Sequence, residues 1–182
     1  MDFFDCVRNR RSIRRFTGEK VTEEELESIL QAGIAAPSAG NMQAREFVLL
    51  RTDESIAAAA STTDAGGTSR GGVVIQEWVA KADVIVVICY EEKRMAARYG
   101  EKGRRVMTQL DCMGVAQNMM LAVTALGLGT TCVIGFDPGK LKNLLPVPPE
   151  LTPMLMLPIG RPAESPEPVS RLDLEKLIRL EC

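Results

Sequence analysis

Apolar positions along this chain alternate between helical spacing and unbroken runs, and the changes of period mark its elements. Leu26, Ile29, Leu30, Gly33 and Ile34 recur at helical spacing. Thr22-Glu23-Glu24-Glu25 precedes them as a capping box, in which the Thr22 hydroxyl accepts from the Glu25 amide and the Glu25 side chain returns the bond. Pro37 ends this helix, because the residue before a proline is pushed out of the helical region. Val84 to Tyr90 is a continuous β-branched apolar run, the pattern of a strand covered on both faces. Val106 to Leu126 is apolar all round, as expected of a helix buried in a core or a subunit interface.

The remaining pattern is weaker. Residues 2–9 predict a short helix, and Arg10 to Phe16 carries no clear period. Phe47 to Leu50, Thr130 to Ile134 and Met154 to Ile159 predict three more short strands. Ile56 to Ala60 and Glu91 to Arg105 predict helices, Asp137-Pro138 starts another, and Leu172 to Leu180 closes with an amphipathic one. The proline-rich stretches 146–153 and 162–168 read as connectors. Asp64 to Gly72 holds four glycines and reads as a mobile loop, either a plain surface loop or a lid. About four strands and five or six helices without βαβ repetition predict an α+β layer fold around a small sheet. The length of 182 residues suits a single domain over 1–182, with 160–182 as a C-terminal arm that packs on a partner.

Composition narrows the chemistry. The chain has 22 basic and 24 acidic side chains, and a net charge of −2 disfavours general polyanion binding. It has no histidine, which excludes Ser-His-Asp and Cys-His nucleophile pairs and histidine metal sites. Cys6, Cys89, Cys112, Cys132 and Cys182 form no CxxC, so no metal site is expected; they read as reduced cysteines of a cytoplasmic protein. No signal peptide is visible at the N-terminus. Cys112 to Phe136 is uncharged over 25 residues, but Gly127-Leu128-Gly129 breaks it. The 15 residues before that break reach about 22 Å, short of the roughly 30 Å of a bilayer core, so no membrane partner is expected.

Two segments carry candidate chemistry. Arg8 to Arg15 holds five arginines and no acid. It could be a solvated helix end, a nucleic-acid contact, or a clamp for a phosphorylated ligand, since guanidinium forks match phosphate geometry. The scarcity of aromatic residues disfavours single-strand binding. Pro37 to Gln43 packs small residues, an asparagine and a glutamine into one turn, which suits a polar flat ring or a polyol. Gly127-Leu128-Gly129 fails as a dinucleotide fingerprint, since Cys132 replaces the third glycine and the segment follows a helix.

In order along the chain, several pieces together resemble the FMN-dependent nitroreductase family. These are Arg10-Arg11-Ser12-Ile13-Arg14-Arg15-Phe16, then Ala36-Pro37-Ser38-Ala39-Gly40-Asn41-Met42-Gln43, then Asp111 with Ala116 to Ala122, and Leu126 to Thr130. Ile134-Gly135-Phe136-Asp137-Pro138, Leu157 to Pro162 and Arg171 complete the set. The resemblance implies a three-layer α-β-α fold with a small central mixed sheet, and a homodimer with two FMN sites at the subunit interface. It implies that Arg10, Ser12 and Arg171 hold the FMN phosphate, with Arg11 beside them, and that Arg14 lies near the N1/O2 edge of the ring. Pro37, Ser38, Ala39, Asn41 and Gln43 come from the other subunit, and the backbone of Ile134 and Gly135 lies against N5, which would account for the glycine.

The implied activity is a ping-pong transfer of hydride from NADH or NADPH to an electron-poor small molecule, a nitroaromatic or a quinone, with the chemistry on the flavin and no catalytic side chain. The alternatives are a relative specialised for dehalogenation or flavin breakdown, and a nucleic-acid-binding protein using Arg8–Arg15. Two positions depart from the family pattern: Ala44-Arg45 stands where Pro-Trp is common, and Val169 where a lysine is common. Arg11 or Arg45 is a candidate replacement for the lost phosphate contact. Segment 64–82, where relatives often supply a further flavin contact, does not align.

Overall fold

The computed structural model describes residues 1–66 and 73–178. Residues 67–72, the centre of the glycine-rich loop, and 179–182, which include Cys182 and the end of the helix expected over 172–180, lie outside the described residues.

The uninterrupted apolar run becomes the central strand. β1 (Arg45–Leu50), β2 (Val84–Glu91), β3 (Gly129–Thr130) and β4 (Leu151–Gly160) form one sheet in the order β1-β2-β4-β3. β2 lies between β1 and β4, so both of its edges are paired, and both faces are covered as its pattern predicts. Val84, Val86 and Ile88 face a core shared with α2 (Glu23–Ile34) and α5 (Thr108–Ala125). Ile85, Val87 and Cys89 face a second core with α3 (Asp53–Ala60) and α6 (Pro138–Leu144). Alternation along one strand thus builds three layers, α-β-α.

The sheet differs from the mixed sheet expected, since all three described ladders are antiparallel. β1 to β2 and β3 to β4 each re-enter the sheet at the end they left. α5 carries the chain back along the sheet, so β3 runs parallel to β2, but β4 separates the two strands. β4 also starts earlier than expected, inside the stretch 146–153 read as a connector. Pro153 is accommodated where the β2–β4 register shifts between Ile88 and Cys89, a bulge that tolerates its missing donor. The strand expected over 130–134 shrinks to Gly129–Thr130 and one bridge, Val133 to Met156.

α1 (Phe3–Asn9) leads into the basic segment, whose lack of period has a tertiary cause. Its backbone is paired with the sheet edge: Ile13 N donates to Thr130 O at 3.0 Å and Thr17 N to Arg161 O at 3.0 Å. The Thr22 capping box forms, and its Glu25 carboxylate also takes both guanidinium nitrogens of Arg161, at 2.8 and 3.0 Å. The helix expected over 91–105 is α4 (Glu92–Lys102), broken at Gly100 and joined to α5 through a wide turn, Gly103–Met107. α7 (Leu174–Leu177) keeps only four residues of the closing helix among those described. Among the described residues no helix is long and apolar enough to cross a membrane.

Candidate functional site

The site is built around the turn that follows Val133. Phe136 N donates to Ile134 O at 3.1 Å, and Asp137 caps α6 by accepting from Lys140 N at 2.9 Å. Segment 61–66 crosses this turn closely: Asp64 N donates to Gly135 O at 2.7 Å. A Cβ at Gly135 would lie 2.0 Å from the Asp64 carbonyl oxygen. The glycine is therefore required by the chain's own crossing, a reason the resemblance did not supply. The two limbs of the glycine-rich loop are stapled below its tip, since Ala65 N donates to Val74 O at 2.9 Å and Gln76 N to the Thr63 hydroxyl at 2.8 Å.

These segments border an open cavity of about 1210 Å³. Its walls are apolar at Trp78, Ile134 and Phe136, and polar at Arg14, Asp64 and Gln76. The Gln76 amide nitrogen stands 3.5 Å from Gly135 O, and Lys140 reaches over to the Ser61 carbonyl at 2.9 Å. Cys132 also borders the cavity, where burial pushes its thiol up. Cys89 and Cys112 are deeper, and burial raises each to about 12, so they are inert core thiols. Among the described residues no cluster of carboxylates and cysteines is arranged for a metal ion.

Arg14 is the residue of the basic segment that enters the cavity. Its backbone N–H donates to Glu164 Oε1 at 2.6 Å, and its guanidinium carbon lies 5.9 Å from the Trp78 ring centroid. Arg10 and Ser12 are half-buried just upstream and do not line the cavity. Arg11 Nη1 is folded back onto the carbonyls of Arg8 and Arg10, at 2.8 and 3.0 Å. Arg171 is exposed on the C-terminal arm, and its guanidinium donates to the adjacent Ser170 carbonyl at 3.3 Å.

The loop Pro37 to Gln43 stands apart from this cavity within one chain. It is tightly shaped. Gly40, Asn41 and Gln43 have φ of 54°, 55° and 50°, a region two non-glycine residues enter only under local constraint. The constraints are visible. Ser38 Oγ accepts from Gln43 N at 3.0 Å, and the Asp111 carboxylate accepts from Ala39 N at 3.2 and 3.3 Å. Arg98 donates to Gly40 O at 3.0 Å and Arg94 to Gln43 O at 2.9 Å. Burial pushes the Asp111 carboxyl up, against the Ala39 amide and the Arg45 charge. Arg45, in the position where tryptophan was expected, donates to the last carbonyls around the end of α2, Ile34 O at 2.9 Å and Ala36 O at 2.7 Å. Its Nη2 thereby caps a helix end.

One chain therefore brings together Arg14, Ile134 and Gly135 from opposite ends of the sequence, with Arg10, Arg11 and Ser12 on the segment leading in. It does not bring Pro37, Ser38, Ala39, Asn41, Gln43 or Arg171 to the same cavity. Sequence reasoning pointed to segment 64–82 without naming Asp64, Gln76 or Trp78, and it missed Lys140. For Trp78 a residue-level signal existed, since it is the chain's single tryptophan and stands on the turn Glu77–Lys81 that leads into the central strand.

The family model described as Nitroreductase family matches residues 7–161. A Methanothermobacter thermautotrophicus protein assigned as an NADH dehydrogenase/NAD(P)H nitroreductase is 28% identical over 91% of this chain and 80% of its own length. A Desulfovibrio desulfuricans chain assigned as a nitroreductase and solved in complex with FMN superposes with a TM-score of 0.81, at 29% identity, over 100% of this chain and 98% of that one. The Vibrio harveyi NADPH:FMN oxidoreductase complexed with NAD+ superposes with a TM-score of 0.83, at 25% identity, over 99% of this chain and 77% of that one.

Proposed function

The chain belongs to the Nitroreductase family, and from that premise we propose that it is an FMN-dependent oxidoreductase carrying electrons from NADH or NADPH to an electron-poor small molecule, a nitroaromatic or a quinone. The similar Desulfovibrio and Vibrio proteins, solved with FMN and with NAD+, support the choice of cofactor and donor. The observation that carries the reading is the convergence of Arg14, Ile134 and Gly135 on one cavity of about 1210 Å³ with apolar walls. Its size suits a planar tricyclic ring with room for a second flat molecule. Its one amide side chain, Gln76, offers a donor and an acceptor to a ring edge.

When bound, FMN supplies the two-electron transfer, which explains how a chain without histidine can be a redox enzyme. The residues supply binding and electrostatics. Arg14 contributes a fixed positive charge beside apolar walls, where it favours a reduced, negatively charged ring. Arg10, Ser12 and Arg171 hold the phosphate, with Arg11 beside them. Ile134 and Gly135 offer backbone rather than side chains to the ring.

Pro37, Ser38, Ala39, Asn41 and Gln43 serve the site of a second copy, so the working unit is a homodimer. Support comes from apolar side chains left on one chain's surface. Phe3, Phe4 and Val7 of α1, Leu110 and Met113 of α5, and Leu172, Leu174 and Leu177 on the arm are all exposed. Single exposed leucines are ordinary, but several large apolar side chains on the surfaces of two helices that touch suit an interface.

The basic cluster is engaged internally, with Arg8 paired to Asp5, Arg11 on carbonyls and Arg14 in the cavity, which disfavours a nucleic-acid surface. The test is the visible spectrum of the purified protein, followed by anaerobic stopped-flow mixing with NADH and with NADPH. A flavin spectrum bleached by either donor is expected. A colourless protein that takes up no added FMN rules the reading out.

A further inference from the structure

We propose that Trp78 is a positioning residue whose indole face holds the Arg14 guanidinium in the cavity without neutralising it. The proposal rests on the reading that the cavity takes a flavin ring.

Arg14 is held at both ends. Glu164 Oε1 accepts from the backbone N–H groups of Arg14 and Arg15, at 2.6 and 3.1 Å, and Ala163 N closes the same junction on Arg15 O at 2.8 Å. This fixes where the side chain starts. Its tip lies over Trp78, with the guanidinium carbon 5.9 Å from the ring centroid, inside the range of attraction between a cation and an aromatic face. Trp78 is itself backed by the core on the α3 and α6 side of the sheet, so the indole is a fixed platform. It sits on the short turn Glu77–Lys81 that leads into β2.

The choice of anchor matters for the chemistry. The carboxylate hydrogen-bonded to Arg14, that of Glu164, accepts from its backbone. Among the described residues Arg14 forms no ion pair, unlike Arg8, Arg51, Arg94, Arg104, Arg105 and Arg161. A carboxylate partner would fix the guanidinium equally well, but it would cancel the field that a ring gaining negative charge requires. An aromatic face restrains a cation and leaves its charge intact. Without the indole, a long side chain at the mouth of an open cavity would sample many rotamers, and its charge would be preorganised for nothing.

Two measurements test this. The first uses flavin-free protein, in which Trp78 is the single indole and reports on its own surroundings. Arg14→Met should shift the emission maximum and lifetime, and Arg14→Lys should restore part of the shift. Emission identical in parent and Arg14→Met would show that the guanidinium does not sit on the indole, which overturns the proposal. The second uses FMN-loaded protein and compares Trp78→Leu with Trp78→Phe. Leucine keeps apolar bulk but has no aromatic face, whereas phenylalanine keeps the face. Trp78→Leu should weaken FMN binding about three- to tenfold, the range of a partly exposed cation–aromatic contact, and move the flavin potential toward that of Arg14→Met. Trp78→Phe should stay near the parent, and Trp78→Leu added to Arg14→Met should change the potential no further. Equal displacement by Leu and Phe, or additive effects in the double variant, would reduce Trp78 to core packing. If no variant or parent takes up FMN, the flavin reading falls, and the emission result alone decides whether Trp78 holds Arg14.

Discussion

Asp111 is a buried carboxylate whose two oxygens face the amide of Ala39, and its burial has a measurable sign. Desolvation raises its pKa above the ordinary 3.8, so the native chain keeps this proton to higher pH than the unfolded chain does. Stability from this group is then fully present below the unfolded value and is lost as pH rises through the folded one. Asp111→Asn retains an acceptor for Ala39 N and removes the titration. The variant should gain stability relative to the parent as pH is raised from about 3.5 to 6, read from urea midpoints. A relative loss over that window would mean that the Arg45 charge, not burial, governs Asp111. Arg10 and Arg171 are assigned to phosphate. Alanine at either should weaken FMN binding by about tenfold or more, the worth of a hydrogen bond to a charged group, and Arg8→Ala much less. Equal losses in all three, by fluorescence titration, would indicate a diffuse field instead of a clamp. At this scale the sequence was legible where a residue's role is local, as at Thr22 and Glu25. It was opaque at Arg45, whose partners at Ile34 and Ala36 depend on where a helix ends against a strand.

α5 shows what periodicity resolves and what it leaves open. An all-round apolar pattern announces burial but does not say against what. In the fold, Cys112, Val115, Ala116, Met119, Met120 and Val123 face the chain's own core, while Val106, Leu110 and Met113 form an exposed stripe at spacings of four and three. The two faces make opposite predictions for the same substitution. Met120→Glu places a charge among core side chains and should prevent folding, at a cost of several kcal/mol. Leu110→Glu alters a surface that is 65% exposed in one chain. It should give a folded monomer by circular dichroism and sedimentation, with FMN lost. A Leu110→Glu protein that remains dimeric would place the interface elsewhere. The turn at Gly135 offers a further element-scale test. Its Cβ-less backbone admits the Asp64 carbonyl, so Gly135→Ala should cost about 1–3 kcal/mol through overpacking. An unchanged denaturation midpoint would show that segment 61–66 does not rest there. Strand β3 was overestimated because its pairing stops where this turn begins, and the crossing that forces the turn comes from a segment some 70 residues away in the chain.

For the whole molecule, the decisive fact is that the residues expected around one flavin do not meet in one chain. Arg14, Ile134 and Gly135 border a cavity, whereas Ser38 and Asn41 sit on a loop held by Asp111, Arg94 and Arg98 and do not line it. That loop carries two non-glycine residues at positive φ, and its constraints hold it in shape before any ligand arrives. A preformed loop that does not reach the cavity of its own chain is accounted for if it completes the cavity of a second copy. The central strand could be read from the chain because it follows from a period, whereas the three-layer order came with the family resemblance. The distance of the 37–43 loop from the cavity follows from no period, and the family resemblance alone supplied the expectation that the loop faces another copy. Mixing experiments can. One dimer carries Arg10→Ala with Arg14→Ala, and the other Ser38→Gly with Asn41→Ala; both should be inactive. If each site draws on two chains, a mixed dimer holds one site with all four lesions and one with none. Random exchange makes half of the dimers mixed, each with one of two sites intact, so activity should recover to about one quarter of the parent, with a matching return of bound FMN. Were the site contained in one chain, every site in every mixed dimer would carry a lesion, and exchange confirmed by mass spectrometry would restore nothing.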